Sequence, residues 1–266
     1  MNPLISSEEL ANRLGDVRLC DIRWSLTEPS HGRSTYEAGH IPGAVFVDLD
    51  TDLSAPPGTG RHPLPTVESF TDTLGRLGIT PGKEVVVYDD MGGVIAARMW
   101  WMLQSIGHTR SRLLDGGFKT WTSMGLPSES GSNTPATAEY VTPATFEGVV
   151  THDRLEGRVI VDARALERYT GETEPVDPKA GHIPGAISKP TSGNLGADGR
   201  FLQPEFLRAR YSDVDAEPVM SCGSGVTACH NALAMVVAGY EMPAVYIGSF
   251  SEWSQLDKPV AVGNQP

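Results

Sequence analysis

The apolar residues of this chain fall into short runs separated by longer mixed stretches. In the first half the runs VRLCDI (17–22), AVFVDL (44–49), EVVVYD (84–89) and SRLLD (111–115) are rich in Val, Leu and Ile. They are too short for buried helices, so each predicts a strand covered on both faces. TVESFTDTLGRLG (66–78) and GGVIAARMWWMLQSIGH (92–108) are long enough for helices. The second half repeats the alternation. RVIVDA (158–163), GAIS (185–188), EPVMS (217–221) and AVYIG (244–248) predict strands, and QPEFLRARYS (203–212) and GVTACHNALAMVVAGY (225–240) predict helices. Such alternation predicts an α/β architecture, a mainly parallel sheet with helices on both faces, with ligands beyond the carboxyl ends of the strands.

The halves also repeat in identity. Asp21-Ile22-Arg23 and the HIPGA segment His40–Ala44 return as Asp162-Ala163-Arg164 and His182–Ala186. Phe118, Trp121 and Pro127 return as Phe250, Trp253 and Pro259, and Gly93-Val94 as Gly225-Val226. Residues 1–126 and 147–266 therefore read as two domains of one kind. Residues 127–146, rich in Ser, Thr, Pro and Ala, read as a linker. In this register Asp90 stands opposite Cys222, Gly92 opposite Ser224 and Ile95 opposite Thr227. The first half also holds an unmatched Pro/Gly-rich stretch, 52–65, carrying Arg61 and His62. It suits either a cover over a cleft or a surface insertion.

Charge and composition narrow the partners. The 266 residues carry a net charge of −12 from 21 basic and 33 acidic side chains. That balance disfavours nucleic acid and anionic membrane surfaces, and requires local arginines wherever an anionic substrate binds. No apolar run reaches a membrane-spanning length, and the polar start MNPLISSEELANRLGD lacks a signal-peptide pattern, which points to the cytoplasm. Three cysteines, Cys20, Cys222 and Cys229, with no CxxC pair predict neither a disulfide framework nor a zinc site.

Cys222 stands apart from the other two. Ser221-Cys222-Gly223-Ser224-Gly225-Val226-Thr227 links a predicted strand to a predicted helix. Two glycines free the backbone so that several N–H groups can converge, and the helix N-terminus adds positive potential. Both stabilise an anion on the Cys222 sulfur, which suits a nucleophile. Cys20 lies inside a strand and Cys229 inside a helix, where packing explains them. Asp162, Arg164 and His182 have counterparts in the half without the thiol, which favours a role in the fold. Arg168 has Thr27 at its matching position and is the better candidate for a substrate contact. A cysteine-dependent phosphatase needs Arg six residues after the cysteine, where this chain has Ala228.

The tandem halves, the paired D-x-R and HIPGA segments and the Cys222 loop resemble the rhodanese family of sulfurtransferases over nearly the whole chain. The loop is most similar to the form found in 3-mercaptopyruvate sulfurtransferases. Thiosulfate-using members typically carry Arg and Lys where this chain has Gly223 and Ser224. The resemblance implies a fold of two mainly parallel sheets, an active loop at the cleft between domains, and no metal or organic cofactor. It implies a Cys222 persulfide, cradled by the backbone of Gly223, Gly225 and Val226 and hydrogen-bonded by Ser224 and Thr227. The outer sulfur then passes to cyanide, a small thiol or a protein thiol such as thioredoxin. Arg164 and Arg168 match arginines that bind the donor, and His40 matches a histidine proposed to act with the loop serine. Its acidic partner has no clear match in Leu26-Thr27-Glu28-Pro29. Thiosulfate as the main donor and a non-catalytic persulfide- or anion-binding module stand as alternatives.

Overall fold

A computed structural model describes residues 2–142, 145–214 and 217–266, which divide into two compact units. The first comprises residues 1–55, 65–147 and 197–201; the second comprises 56–64, 148–196 and 202–266. The first unit's strands are β1 (Leu4–Ile5), β2 (Arg18–Asp21), β3 (Val45–Phe46), β4 (Val85–Tyr88) and β5 (Ser111–Leu114), in the order β1-β5-β4-β2-β3. The second unit's are β6 (Val149–Val150), β7 (Ile160–Asp162), β8 (Ala186–Ser188), β9 (Val219–Ser221) and β10 (Ala244–Tyr246), in the order β6-β10-β9-β7-β8. Every pairing within both sheets is parallel. The order is the same in both, so the repeat in residues is a repeat in topology.

Helices α1 (Ser7–Ala11), α2 (His31–Ala38), α3 (Val67–Arg76), α4 (Ala97–Ser105) and α5 (Gly117–Ser123) accompany the first sheet. The second unit adds α6 (Leu166–Thr170), α7 (Pro204–Arg210), α8 (Thr227–Val237) and α9 (Ser249–Trp253). Val85–Tyr88 and Val219–Ser221 are wholly buried, as central parallel strands require. Trp121 and Trp253 each sink into their own core and donate Nε1–H to the carbonyl of Pro127 and Pro259, both at 2.8 Å. No helix among the described residues is long and apolar enough to cross a membrane.

Two segments position the chemistry. Residues 56–64, part of the unmatched stretch, pack with the second unit although the chain reaches them from the first half. Thr59 donates to Glu252 at 3.0 Å, the Arg61 amide donates to Ser251 Oγ at 3.1 Å, and a Cβ on Gly60 would sit 3.3 Å from the Cα of Gly248. The described part of 127–146 runs along the first unit. Glu129 bridges His40 in antiparallel fashion, the Ala138 amide donates to Gly75, and Tyr140 meets His108 at 2.9 Å.

Candidate active site

The second unit gathers its reactive groups at the carboxyl end of β9, where the loop 222–226 leads into α8. Cys222 is 1% exposed. Its Sγ accepts the Gly225 amide N–H at 3.1 Å, and its own amide donates to Ser249 Oγ at 3.1 Å. Gly225 has φ +75°, and a Cβ there would lie 2.4 Å from the Ile247 carbonyl oxygen. Glycine is therefore required twice over, for the left-handed backbone and for the close approach. Val226 precedes α8 and is buried, and Thr227 opens that helix. Cys229 lies one turn further on and gives its thiol to the Gly225 carbonyl at 3.3 Å. Burial inside β2 pushes the Cys20 thiol up to about 12, so its thiolate is strongly disfavoured.

Three guanidinium groups belong to the same neighbourhood. Arg164 binds Asp162 in a fork, through Nε and through Nη2 at 2.6 Å, and its Nη2 also reaches the Gly181 carbonyl. Its plane lies 4.0 Å over the Phe250 ring, and its buried Nη1 has no hydrogen-bond partner among the described residues. Burial works against the Arg164 charge, but Asp162, Glu174 and the Cys222 sulfur together raise its pKa above the ordinary range. Arg168, on α6, is held by Glu174 at 2.8 Å and Asp177 at 2.9 Å. Arg61 grips the other oxygen of the Asp177 carboxylate. A Cβ on Gly223 would lie 3.0 Å from Arg61 Nη2 and 3.4 Å from Arg168 Nη1, so both cations flank the loop. A hollow of about 270 Å³ lined by Gly60, Arg61, Val176, Asp177, Ser251 and Gln255 opens beside the Arg61–Asp177 pair.

The loop serine has a partner that sequence matching did not find. Ser224 Oγ lies 2.7 Å from Nδ1 of His62, and both residues are buried. His40, expected beside the serine, is instead tied up in the first unit. Its Nδ1 meets the Tyr36 carbonyl at 2.8 Å, its Nε2 faces Asn133 at 3.2 Å, and its ring stacks on Tyr36 at 4.0 Å. His182 makes the same stack on Tyr169 at 3.8 Å, with Nδ1 on the Tyr169 carbonyl. HIPGA works as a fold motif in each unit. Both copies use the histidine to lock the preceding tyrosine, whose hydroxyl donates to Ala44 in one unit and Ala186 in the other.

The structural match of the two copies differs by one residue from the match by sequence at this turn. Asp21 pairs with Tyr88 across β2 and β4, just as Asp162 pairs with Ser221 across β7 and β9. The Phe118 amide donates to the Asp89 carbonyl as the Phe250 amide donates to that of Cys222. Asp89, not Asp90, is thus the counterpart of Cys222. Its carboxyl accepts N–H bonds of 2.8–2.9 Å from Met91, Gly93, Ile95 and Ala96. In the first unit this turn is an amide nest already closed on its own acid.

Two parallel α/β units of identical strand order, each with D-x-R and HIPGA motifs and one with a cysteine at the strand-to-helix turn, define a family. The Rhodanese-like domain matches residues 6–124 and again 150–256. The chain belongs to the rhodanese-like family. A Pseudomonas aeruginosa relative in it, named "Probable 3-mercaptopyruvate sulfurtransferase", is 42% identical over 98% of this chain and 98% of its own length. The thiosulfate sulfurtransferase of Mus musculus is 37% identical over 96% of this chain and 93% of its own. The 3-mercaptopyruvate sulfurtransferase from Leishmania major superposes with a TM-score of 0.87 at 34% identity, covering 96% of this chain and 75% of that one. Rhodanese-like relatives of both donor types therefore align along almost all of this sequence.

Proposed function

We propose that the chain is a sulfurtransferase that takes sulfur from 3-mercaptopyruvate, carries it as a persulfide on Cys222, and passes it to cyanide or a thiol. The Cys222 thiolate attacks the donor sulfur. The new S–S bond forms as the C–S bond breaks, its electron pair leaves in the pyruvate enolate, and the thiol proton of the donor is made good at the enolate carbon. The outer sulfur then leaves on the attacking acceptor, regenerating the thiolate. The observation that carries this reading is the Gly225 N–H on Cys222 Sγ at 3.1 Å, at a turn whose twin in the first unit is an amide nest closed on the Asp89 carboxyl.

We assign the remaining roles on the same reading. Gly223, Gly225 and Val226 supply the backbone that cradles the loaded sulfur, with Thr227 at the helix start behind it. Arg61, Arg164 and Arg168 offer a fork of N–H donors to the donor's carboxylate and offset the acidic surface. Ser224 and His62, 2.7 Å apart, can hold and pass the proton that moves from thiol to enolate. The acceptor is a small thiol or a protein thiol such as thioredoxin, and the setting we assign is the cytoplasm, where such thiols stay reduced.

Turnover with 3-mercaptopyruvate and cyanide, read as thiocyanate, tests this directly, together with mass spectrometry for one added sulfur atom on Cys222. Turnover that survives Cys222→Ser would sink the assignment. Alkylation of Cys222 without turnover of any donor would favour a binding module.

A further inference from the structure

Ser249 is the one non-glycine residue with a positive φ among the described residues, at +51°. Side chains avoid this region because Cβ crowds the backbone. The matching position in the first unit is Gly117, with φ +59°. A Cβ there would lie 2.3 Å from the carbonyl oxygen of Asp89, the Cys222 counterpart. The same corner is thus glycine where no thiol sits beneath it, and a strained serine where one does.

The serine hydroxyl repays the strain with contacts to the nucleophile. Its Oγ accepts the Cys222 amide N–H at 3.1 Å, donates to the Tyr246 carbonyl at 2.7 Å, and lies 4.0 Å from Cys222 Sγ. It is wholly buried. The Cys222 carbonyl is meanwhile held by the Phe250 amide at 3.0 Å, next in sequence to Ser249. The backbone of the nucleophile is therefore clamped on both sides of its Cα by the first turn of α9. Strain of this kind persists where the surrounding structure over-determines the conformation, and it clusters at functional sites.

We infer that Ser249 is a positioning residue for Cys222: its hydroxyl fixes the peptide before the cysteine and so aims Sγ into the turn of amides. This inference rests on the sulfurtransferase reading for its consequence in turnover, but its geometry concerns only the reactivity of Cys222.

The test separates hydroxyl from strain. Ser249→Gly and Ser249→Ala both remove Oγ, yet only glycine also relieves the positive φ. Both variants should lose kcat alike, by about ten- to a hundredfold, with KM nearly unchanged, as displacing a reacting atom by up to about 1 Å does. Their rates of Cys222 alkylation by iodoacetamide should fall together in the same way. Their melting temperatures should differ, with Ser249→Ala lower. A kcat that follows melting temperature, falling in the alanine variant and staying near wild type in the glycine variant, overturns the inference. So does an alkylation rate within threefold of wild type in both variants. The alkylation assay needs no sulfur donor, so the inference can fail while the sulfurtransferase reading stands, and the reverse.

Discussion

Replacing Gly225 with alanine probes the catalytic turn most sharply. The new Cβ would stand 2.4 Å from the Ile247 carbonyl oxygen, and 3.4 Å is where ordinary contact begins, so turn and strand end must part by about 1 Å. The amide of this same residue is the donor to Cys222 Sγ at 3.1 Å, a contact that a movement of that size breaks. Misplacing a reacting group by about 1 Å costs on the order of a hundredfold in rate. The left-handed backbone adds roughly 1–2 kcal/mol of lost stability. Gly185 provides the control, because its φ is +85° and a Cβ there would meet nothing within 4 Å. Gly185→Ala should therefore lower the melting temperature by a few degrees and keep kcat/KM near wild type. Gly225→Ala should lower both, kcat/KM by about a hundredfold. The measurement is steady-state turnover alongside thermal unfolding of both variants. A Gly225→Ala variant within threefold of wild type in kcat/KM would refute the argument that this amide positions the sulfur.

Further outcomes are expected on the same basis. Iodoacetamide should label Cys222 and spare Cys20 in the folded chain, since burial pushes the Cys20 thiol up to about 12; equal labelling would contradict that burial. Arg61→Ala should lower kcat/KM for thiosulfate about tenfold more than for 3-mercaptopyruvate, because a dianion loses more from one charge-assisted contact. A donor ratio unchanged by the substitution would remove Arg61 from the site. Burial raises the Glu174 carboxyl's pKa, but hydrogen bonds from Arg168 and from the Asp177 and Val176 amides bring it below the ordinary carboxylate range. A pKa lower in the folded than in the unfolded chain means this stabilisation is present above about pH 4.5 and fades as the pH falls through the folded value. The stability gap between wild type and Glu174→Gln should therefore shrink below about pH 4.5; a gap constant across that range would contradict it.

Much of the architecture was readable because central parallel strands must be apolar on both faces. Val85–Tyr88 and Val219–Ser221 announce themselves for that reason. The edge strands Leu4–Ile5 and Val149–Val150 are two residues long, too short to show any period. The cysteine was legible from its glycines and its place between strand and helix. The His62–Ser224 contact was not, because it joins residues 162 apart in sequence through a loop with no counterpart in the second half. His40 drew attention through a repeated motif whose work is to hold a tyrosine. The pairing of Cys222 with Asp90 erred by one because two aspartates adjoin, and only the strand register tells them apart. Ser249 did leave a trace, since Gly116-Gly117-Phe118 stands against Gly248-Ser249-Phe250, but a serine for a glycine gains meaning only once φ is known.

Asp89 gives the two units different thermodynamic lives. The first unit carries the acceptor of its amide turn as part of the chain, so that turn is filled without a ligand, although burial raises the Asp89 pKa. The second unit closes its turn on the Cys222 sulfur, and on the proposed cycle it takes a second sulfur into that turn. A covalently carried sulfur is present in the folded and the unfolded chain alike, so it stabilises the fold only through the hydrogen bonds it gains in the turn. On the proposed cycle, the second unit should thus stiffen when loaded and relax when discharged, while the first stays constant as a reference. Sulfur traffic through the molecule would then be legible as a change in the melting of one half alone.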